Sequence, residues 1–162
     1  MSLLSAWGIS GCTTITEPDV RFSVLGRFTL RVISQQGKRE NISGKFLFQR
    51  TNWLVKLDLL SPLNSVLGRI EITNEKASFF KDLNEEPITA PDAETLMMDS
   101  LGFSMPVAAI EEWATCPETP KGYGWAVRVL KRKNGRPKTL LAEKLFSQSK
   151  IHLMLVFDEV FP

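Results

Sequence analysis

From Phe22 onward the chain alternates apolar and polar residues, run after run, with no helical segment between the runs. Phe22, Val24, Phe28, Leu30 and Val32 share one register; Ser23, Arg27, Thr29 and Arg31 share the other. That is the period of a strand burying one face. Gly26 falls inside the run, as glycine does at a bend or bulge of a curved sheet. After a turn at Gln35-Gln36-Gly37-Lys38, a second strand sets Ile42, Gly44, Phe46 and Phe48 against Ser43, Lys45 and Gln49. Thr51-Asn52 turns the chain, and Trp53, Val55, Leu57 and Leu59 alternate with Lys56 and Asp58. Pro62 breaks the pattern, and Leu67 to Thr73 and Ala77 to Leu83 read as a further hairpin. A parallel α/β sheet needs a crossover between successive strands, so this succession excludes it.

The period then changes. Thr89-Ala90-Pro91-Asp92 reads as a helix start with Thr89 as N-cap. Leu96, Met97 and Leu101 form one stripe, Met98 faces away from it, and Gly102 ends the helix. A second helix begins near Ser104-Met105-Pro106, buries Val107, Ile110, Trp113 and Ala114, and stops at Cys116-Pro117. Strands resume with Trp125, Val127 and Val129, turn at Lys133-Asn134-Gly135, and continue through Leu140 to Phe146 and Ile151 to Phe157. The simplest physical solution is a mainly β chain with two short helices. It is expected to form an incomplete, curved antiparallel barrel whose apolar concave face the helices cover.

The residues for catalysis are missing from this pattern. His152 is the only histidine and sits on the polar register of a strand, without an evident nucleophile to activate. No Cys/His spacing suits a metal, and no glycine-rich loop suits a phosphate. Glu85-Glu86 and Glu111-Glu112 are adjacent pairs, which do not face a common pocket and read as solvated surface. Neither an enzyme nor a cofactor is therefore expected. The formal charge of +2 is too near neutral to argue for nucleic acid. One basic cluster, Lys131 to Lys138, brackets a hairpin turn; it reads as solvated charge, or as weak attraction to anionic headgroups.

The N-terminus is apolar through Leu3, Leu4, Ala6, Trp7 and Ile9, and is followed by Ser10-Gly11-Cys12. Small residues before a cysteine resemble a lipobox, which divides the chain into a signal segment (1–11), a lipidated tether (12–20) and a single domain (21–162). Cys12 is then the acylated first residue; an incidental cysteine in a frayed terminus is the plainer alternative. Cys116 is expected to be an unpaired thiol at a helix end. Leu63 stands in a turn between two strands, where side chains normally face water. It is either exposed at a cost or folded back onto the sheet.

Several segments, taken in order, resemble the LolB family of outer-membrane lipoproteins. Phe22-x-x-x-Gly26-Arg27 resembles the family's opening strand, and Gly44-x-Phe46-x-Phe48 its Gly-x-Phe-x-Trp strand. Ser61-Pro62-Leu63 resembles its Pro-Leu-Gly loop, with Asn64 in place of the glycine. Pro91-Asp92-Ala93-Glu94-x-Leu96-Met97 resembles the first covering helix, and Leu101-Gly102-x-x-Met105-Pro106-Val107 with Ile110 and Trp113 resembles the second. Gly124-Trp125, Arg136-Pro137 and Val156-Phe157-Asp158 resemble the closing strands.

The resemblance implies a monomeric receptor held by lipidated Cys12 at the periplasmic face of the outer membrane. It implies that the protein accepts lipid-modified proteins from the soluble carrier LolA and releases them into that bilayer, without nucleotide or metal. Phe28, Leu30, Phe46, Phe48, Leu57, Leu59, Met97, Leu101, Ile110, Trp113 and Trp125 are the candidates to line the acyl cavity, although an ordinary packed core uses the same residue types. Pro62 and Leu63 are the candidate membrane-insertion loop. Two alternatives stay open: a soluble carrier of LolA type, which needs no lipobox, and a structural lipoprotein with a closed core and no transfer activity.

Overall fold

The computed structural model describes residues 19–162. The signal segment, most of the tether and Cys12 lie outside the described residues. Among the described residues nine strands form one antiparallel sheet. They are β1 (Phe22–Ser34), β2 (Arg39–Arg50), β3 (Val55–Leu60), β4 (Val66–Ile72), β5 (Ala77–Phe80), β6 (Ile88–Ala90), β7 (Ala126–Lys133), β8 (Arg136–Phe146) and β9 (Ser149–Phe161). Their spatial order is β6-β5-β4-β3-β2-β1-β9-β8-β7. The meander of the first six strands is thus joined to the last three through the pairing of β1 with β9, and the sheet stays open between β6 and β7.

Curvature follows from two devices. Register shifts interrupt the pairing at Leu25/Gly26, Leu59/Leu60 and twice in β7, and each bends its strand. Gly26 and Gly44 let the concave face close on itself. A Cβ on Gly26 would lie 2.4 Å from the Val156 carbonyl oxygen and 2.6 Å from the Phe46 ring, and one on Gly44 would lie 2.4 Å from the Leu60 oxygen. The two free edges are blunted differently. β6 is three residues long, whereas β7 carries Arg128, Lys131, Arg132 and Lys133, charges that oppose pairing with another chain.

Helices α1 (Ala93–Leu101) and α2 (Ile110–Thr115), with a 3₁₀ turn at Val107–Ala109, cover the concave face. Helix α1 packs on β5 and β6, and α2 on β8 and β1. No helix among the described residues is long and apolar enough to cross a membrane.

The structure moves several boundaries; the second helix, for one, begins at Ile110, after a 3₁₀ turn, rather than near Ser104. Thr89 belongs to β6, and the N-cap of α1 is Asp92, whose carboxylate accepts the Thr95 N–H at 2.8 Å. A short strand had room to form before the helix because Ala77–Phe79 offer it a ladder. Trp53 is not on the β3 register: the Thr51 hydroxyl accepts the Leu54 N–H at 3.1 Å, which closes a turn and leaves Trp53 62% exposed. Strand β5 ends at Phe80 rather than Leu83, because Asp82 and Asn84 turn the chain, with the Asn84 N–H donating to the Asp82 carboxylate.

Candidate functional site

The concave face is built mainly by alternate residues of β1–β4, β8 and β9. Val24, Leu30, Phe46, Leu57, Ile70, Leu140, Leu153 and Leu155 are all sealed from solvent. From the helices, Leu96, Met97, Ile110 and Trp113 descend onto them. Of the eleven residues expected from sequence to line a cavity, ten are buried here: Phe28, Leu30, Phe46, Phe48, Leu57, Leu59, Met97, Ile110, Trp113 and Trp125. The eleventh, Leu101 at the end of α1, is half-buried. Aromatic edges lock part of the set, Phe22 against Phe48 and Phe46 against Phe157.

Room for a ligand lies beside this packed set rather than within it. A cleft of about 610 Å³ opens where the helical cover meets the sheet. Ile72, Ala93, Met105, Val107 and Trp125 give it apolar walls, and Asp92, Glu94 and Tyr123 stand among its lining. Its size is within the roughly 300–1,000 Å³ usual for small-molecule sites. Only Trp125 of the eleven sequence candidates lines it. Met105 and Val107 face both ways, since each is 2% exposed and joined to the core.

A strap bounds the cleft on one side. The Trp113 indole N–H donates to the Lys121 carbonyl at 2.7 Å, and the Lys121 N–H donates to Glu112 at 3.3 Å. The Tyr123 hydroxyl donates to the other Glu112 oxygen. This hydrogen bond holds the Glu112 carboxyl below the usual carboxylate range and pushes the Tyr123 phenol up. Tyr123 and Gly124 both sit at positive φ, so the strap folds tightly over Trp125. Arg50 grips Glu111 with two bonds of 2.5 and 2.9 Å and ties α2 to β2. The adjacent glutamates are therefore structural pairs, not the free surface charges that their sequence suggests. Sequence carried no signal for this, because each partner is distant or sits in an irregular loop.

At the β3–β4 turn the backbone is closed by hydrogen bonds and the Leu63 side chain is not covered. The Ser61 N–H donates to the Ser65 carbonyl at 2.8 Å, and the Asn64 N–H donates to the Ser61 carbonyl at 2.9 Å. Asn64 adopts a left-handed φ of 66°, which asparagine tolerates better than most residues. Its side-chain oxygen also accepts from the Lys45 ammonium at 2.8 Å. Leu63 projects from this frame at 89% exposure, the most exposed large apolar side chain among the described residues. It does not fold back. Pro62, beside it, borders a groove on the convex face formed by Thr29, Ser43, Met154 and Val156.

His152 accompanies Glu143 at 2.8 Å on the outer face. Cys116 caps the end of α2 and is half-buried; whether it pairs with Cys12 lies outside the described residues. The basic cluster is exposed from Lys131 to Arg136, whereas Lys138 donates to the Phe157 carbonyl at 2.8 Å and reaches Asp158 at 3.1 Å.

Asp158 also accepts two bonds from Arg27, at 2.8 and 2.9 Å, which tie β9 to β1. The Arg27 hydrogen bonds chiefly hold the Asp158 carboxyl below its ordinary range; burial opposes them, and the Lys138 hydrogen bond adds to them. A depressed carboxyl pKa stabilises the fold above its unfolded value, about pH 4, and the contribution is lost as pH falls through the folded value. Asp158→Asn is thus expected to cost about 1 kcal/mol at pH 7, since Arg27 is largely exposed. In urea titrations the gap from wild type should close below about pH 4. An equal gap at pH 3 and pH 7 would contradict the pairing.

Comparison with known proteins places these features in a family. A family model described as "Outer membrane lipoprotein LolB" matches residues 20–152. The outer-membrane lipoprotein LolB of Cupriavidus metallidurans is 37% identical over 119 residues, 71% of this chain and 54% of that protein. That of Ralstonia nicotianae is 33% identical over 115 residues, 71% and 53% respectively. That of Bordetella pertussis is 31% identical over 111 residues, 65% and 55%. The chain spans about half the length of these curated relatives.

Proposed function

The chain belongs to the LolB family, and we propose that it works as an outer-membrane receptor that takes lipid-modified proteins from a soluble periplasmic carrier of LolA type and releases them into the bilayer. Its anchor in this reading is a lipidated Cys12 at the periplasmic face, and it acts as a monomer. The step is physical transfer, not catalysis. An acyl chain forced into water costs roughly 0.8 kcal/mol per CH₂. A receptor therefore has to offer apolar wall continuously, from uptake to release.

The observation that carries this reading is Leu63. A hydrogen-bonded turn holds a bare leucine outside the fold, which suits a protein that touches lipid. The close packing of Phe46, Phe48 and Trp113 taken alone suits a structural lipoprotein with a closed core. The cleft beside Trp125, walled by core residues, supports transfer instead.

Mixing this protein with carrier preloaded with a lipid-modified protein tests the first half of the reaction without any membrane. Cargo is expected to move from the carrier to this protein on gel filtration. Cargo that stays with the carrier at a tenfold excess of this protein (roughly 1.4 kcal/mol of bias by mass action) would end the receptor reading.

A further inference from the structure

The two sides of the cleft belong to different parts of the sheet. Helix α1 rests on β5 and β6, and β6 holds on by three residues paired with β5 alone. Helix α2 rests on β8 and β1 and is secured by Trp113, by Arg50–Glu111 and by the strap. One side thus sits by apolar packing on the edge of the sheet, and the other is tied down by side-chain hydrogen bonds as well. Glu94, in the first turn of α1, reaches across to Lys144 on β8, with Nζ to Oε1 at 3.0 Å. Among the described residues no other side-chain hydrogen bond or salt bridge joins α1 to β7, β8 or β9. The Lys144 ammonium also stands 5.8 Å from the Trp125 ring centre and 5.1 Å from that of Phe146. It therefore lies over the same indole that walls the cleft.

Resting on the transfer reading above, we propose that this cleft is the mouth through which an acyl chain reaches the concave face, with Lys144–Glu94 as its latch. The walls suit the apolar chain: Ile72, Met105, Val107 and Trp125 run from the opening to the packed core. Asp92, Glu94 and Tyr123 on the lining suit the polar glycerol end, which has no reason to leave water. Glu94 is 61% exposed, so the pair is weak and salt-sensitive. A latch that must open on each cycle has to be weak. Its release frees Ala93 and Glu94 at the start of α1 to move outward, while Leu96 and Met97 stay seated in the core.

The test uses a neutral pyrene-labelled monoacylglycerol, so that a charged probe does not itself respond to Lys144. Stopped-flow energy transfer from tryptophan to pyrene reads its association rate. Glu94→Gln and Lys144→Met are each expected to raise the rate about two- to fivefold, the range of an exposed ion pair. Lys144→Met keeps an apolar stem over Trp125 and Phe146 and leaves the helix untouched, so agreement between the two variants separates the latch from any weakening of α1. The wild-type rate should climb with salt and those of the variants should not. The exchanged pair E94K/K144E should return the rate toward wild type. Binding by the wild type with equal rates in all variants overturns the latch and leaves the receptor reading standing. Absence of probe binding in every variant and the wild type overturns both.

Discussion

On the proposed receptor function, Leu63→Glu is expected to leave the protein folded and able to take cargo from a carrier, yet to cut delivery into liposomes by tenfold or more. Burial sets this factor. One leucine moved from water into hydrocarbon contributes roughly 1.5–3 kcal/mol, and about 1.4 kcal/mol is a factor of ten. Glutamate removes that gain and opposes insertion with its charge. The fold should not notice, since Leu63 is 89% exposed and the turn is framed by Ser61, Asn64 and Ser65 rather than by the leucine. A stability change within about 0.5 kcal/mol is expected. Flotation of liposomes after incubation with loaded protein measures the delivery. Unchanged flotation of cargo would mean that the turn does not touch lipid during release.

The opposite outcome is expected at Trp113, where the fold itself gives way. Its side chain is fully buried, and its indole N–H holds the strap through the Lys121 carbonyl. Trp113→Ala removes the largest buried side chain of α2 together with that anchor, and leaves Arg50–Glu111 in place. Truncations of this kind cost about 3–5 kcal/mol. In a domain of this size that lowers Tm by about 6–20 °C. Calorimetry checks the value, and a shift under about 2 °C would show that the helical cover does not depend on this residue. Acyl binding should weaken in the same variant well below its Tm, because the released strap no longer bounds the cleft.

The strands and the helical cover were legible in the sequence for a simple reason. Alternation records which side of a sheet is buried, so Phe22 to Val32 and Ile151 to Phe157 declared both their conformation and their inward face. The pairing of β1 with β9 was not legible, because alternation says which face is inside but not which strand lies alongside. Asp58 shows the same limit at the level of a side chain. Its polar register is correct, but it is only 6% exposed, because Arg69 from the next strand lies over it at 2.5 Å. The turn at Ser61–Ser65 was legible as an interruption, and Asn64 could be read as a substitute for glycine. Its left-handed backbone and its bond from Lys45 appeared only in three dimensions. The cleft was the least legible part. Met105, Val107 and Trp125 are core-like in sequence, and nothing in one chain of letters separates a residue that lines a cleft from one that fills a core. Glu94 and Lys144, fifty positions apart, carry no pattern at all.

A photoreactive group placed midway along an acyl chain tests most directly whether the concave face and its cleft hold lipid. A lipopeptide bearing such a group is loaded from the carrier, irradiated, and its adducts are mapped by mass spectrometry. Adducts on Met105, Val107 and Trp125, the walls of the cleft, are the expected result. Adducts confined to Thr29, Met154 and Val156, in the groove on the convex face, would contradict it and place the lipid on the wrong side of the sheet.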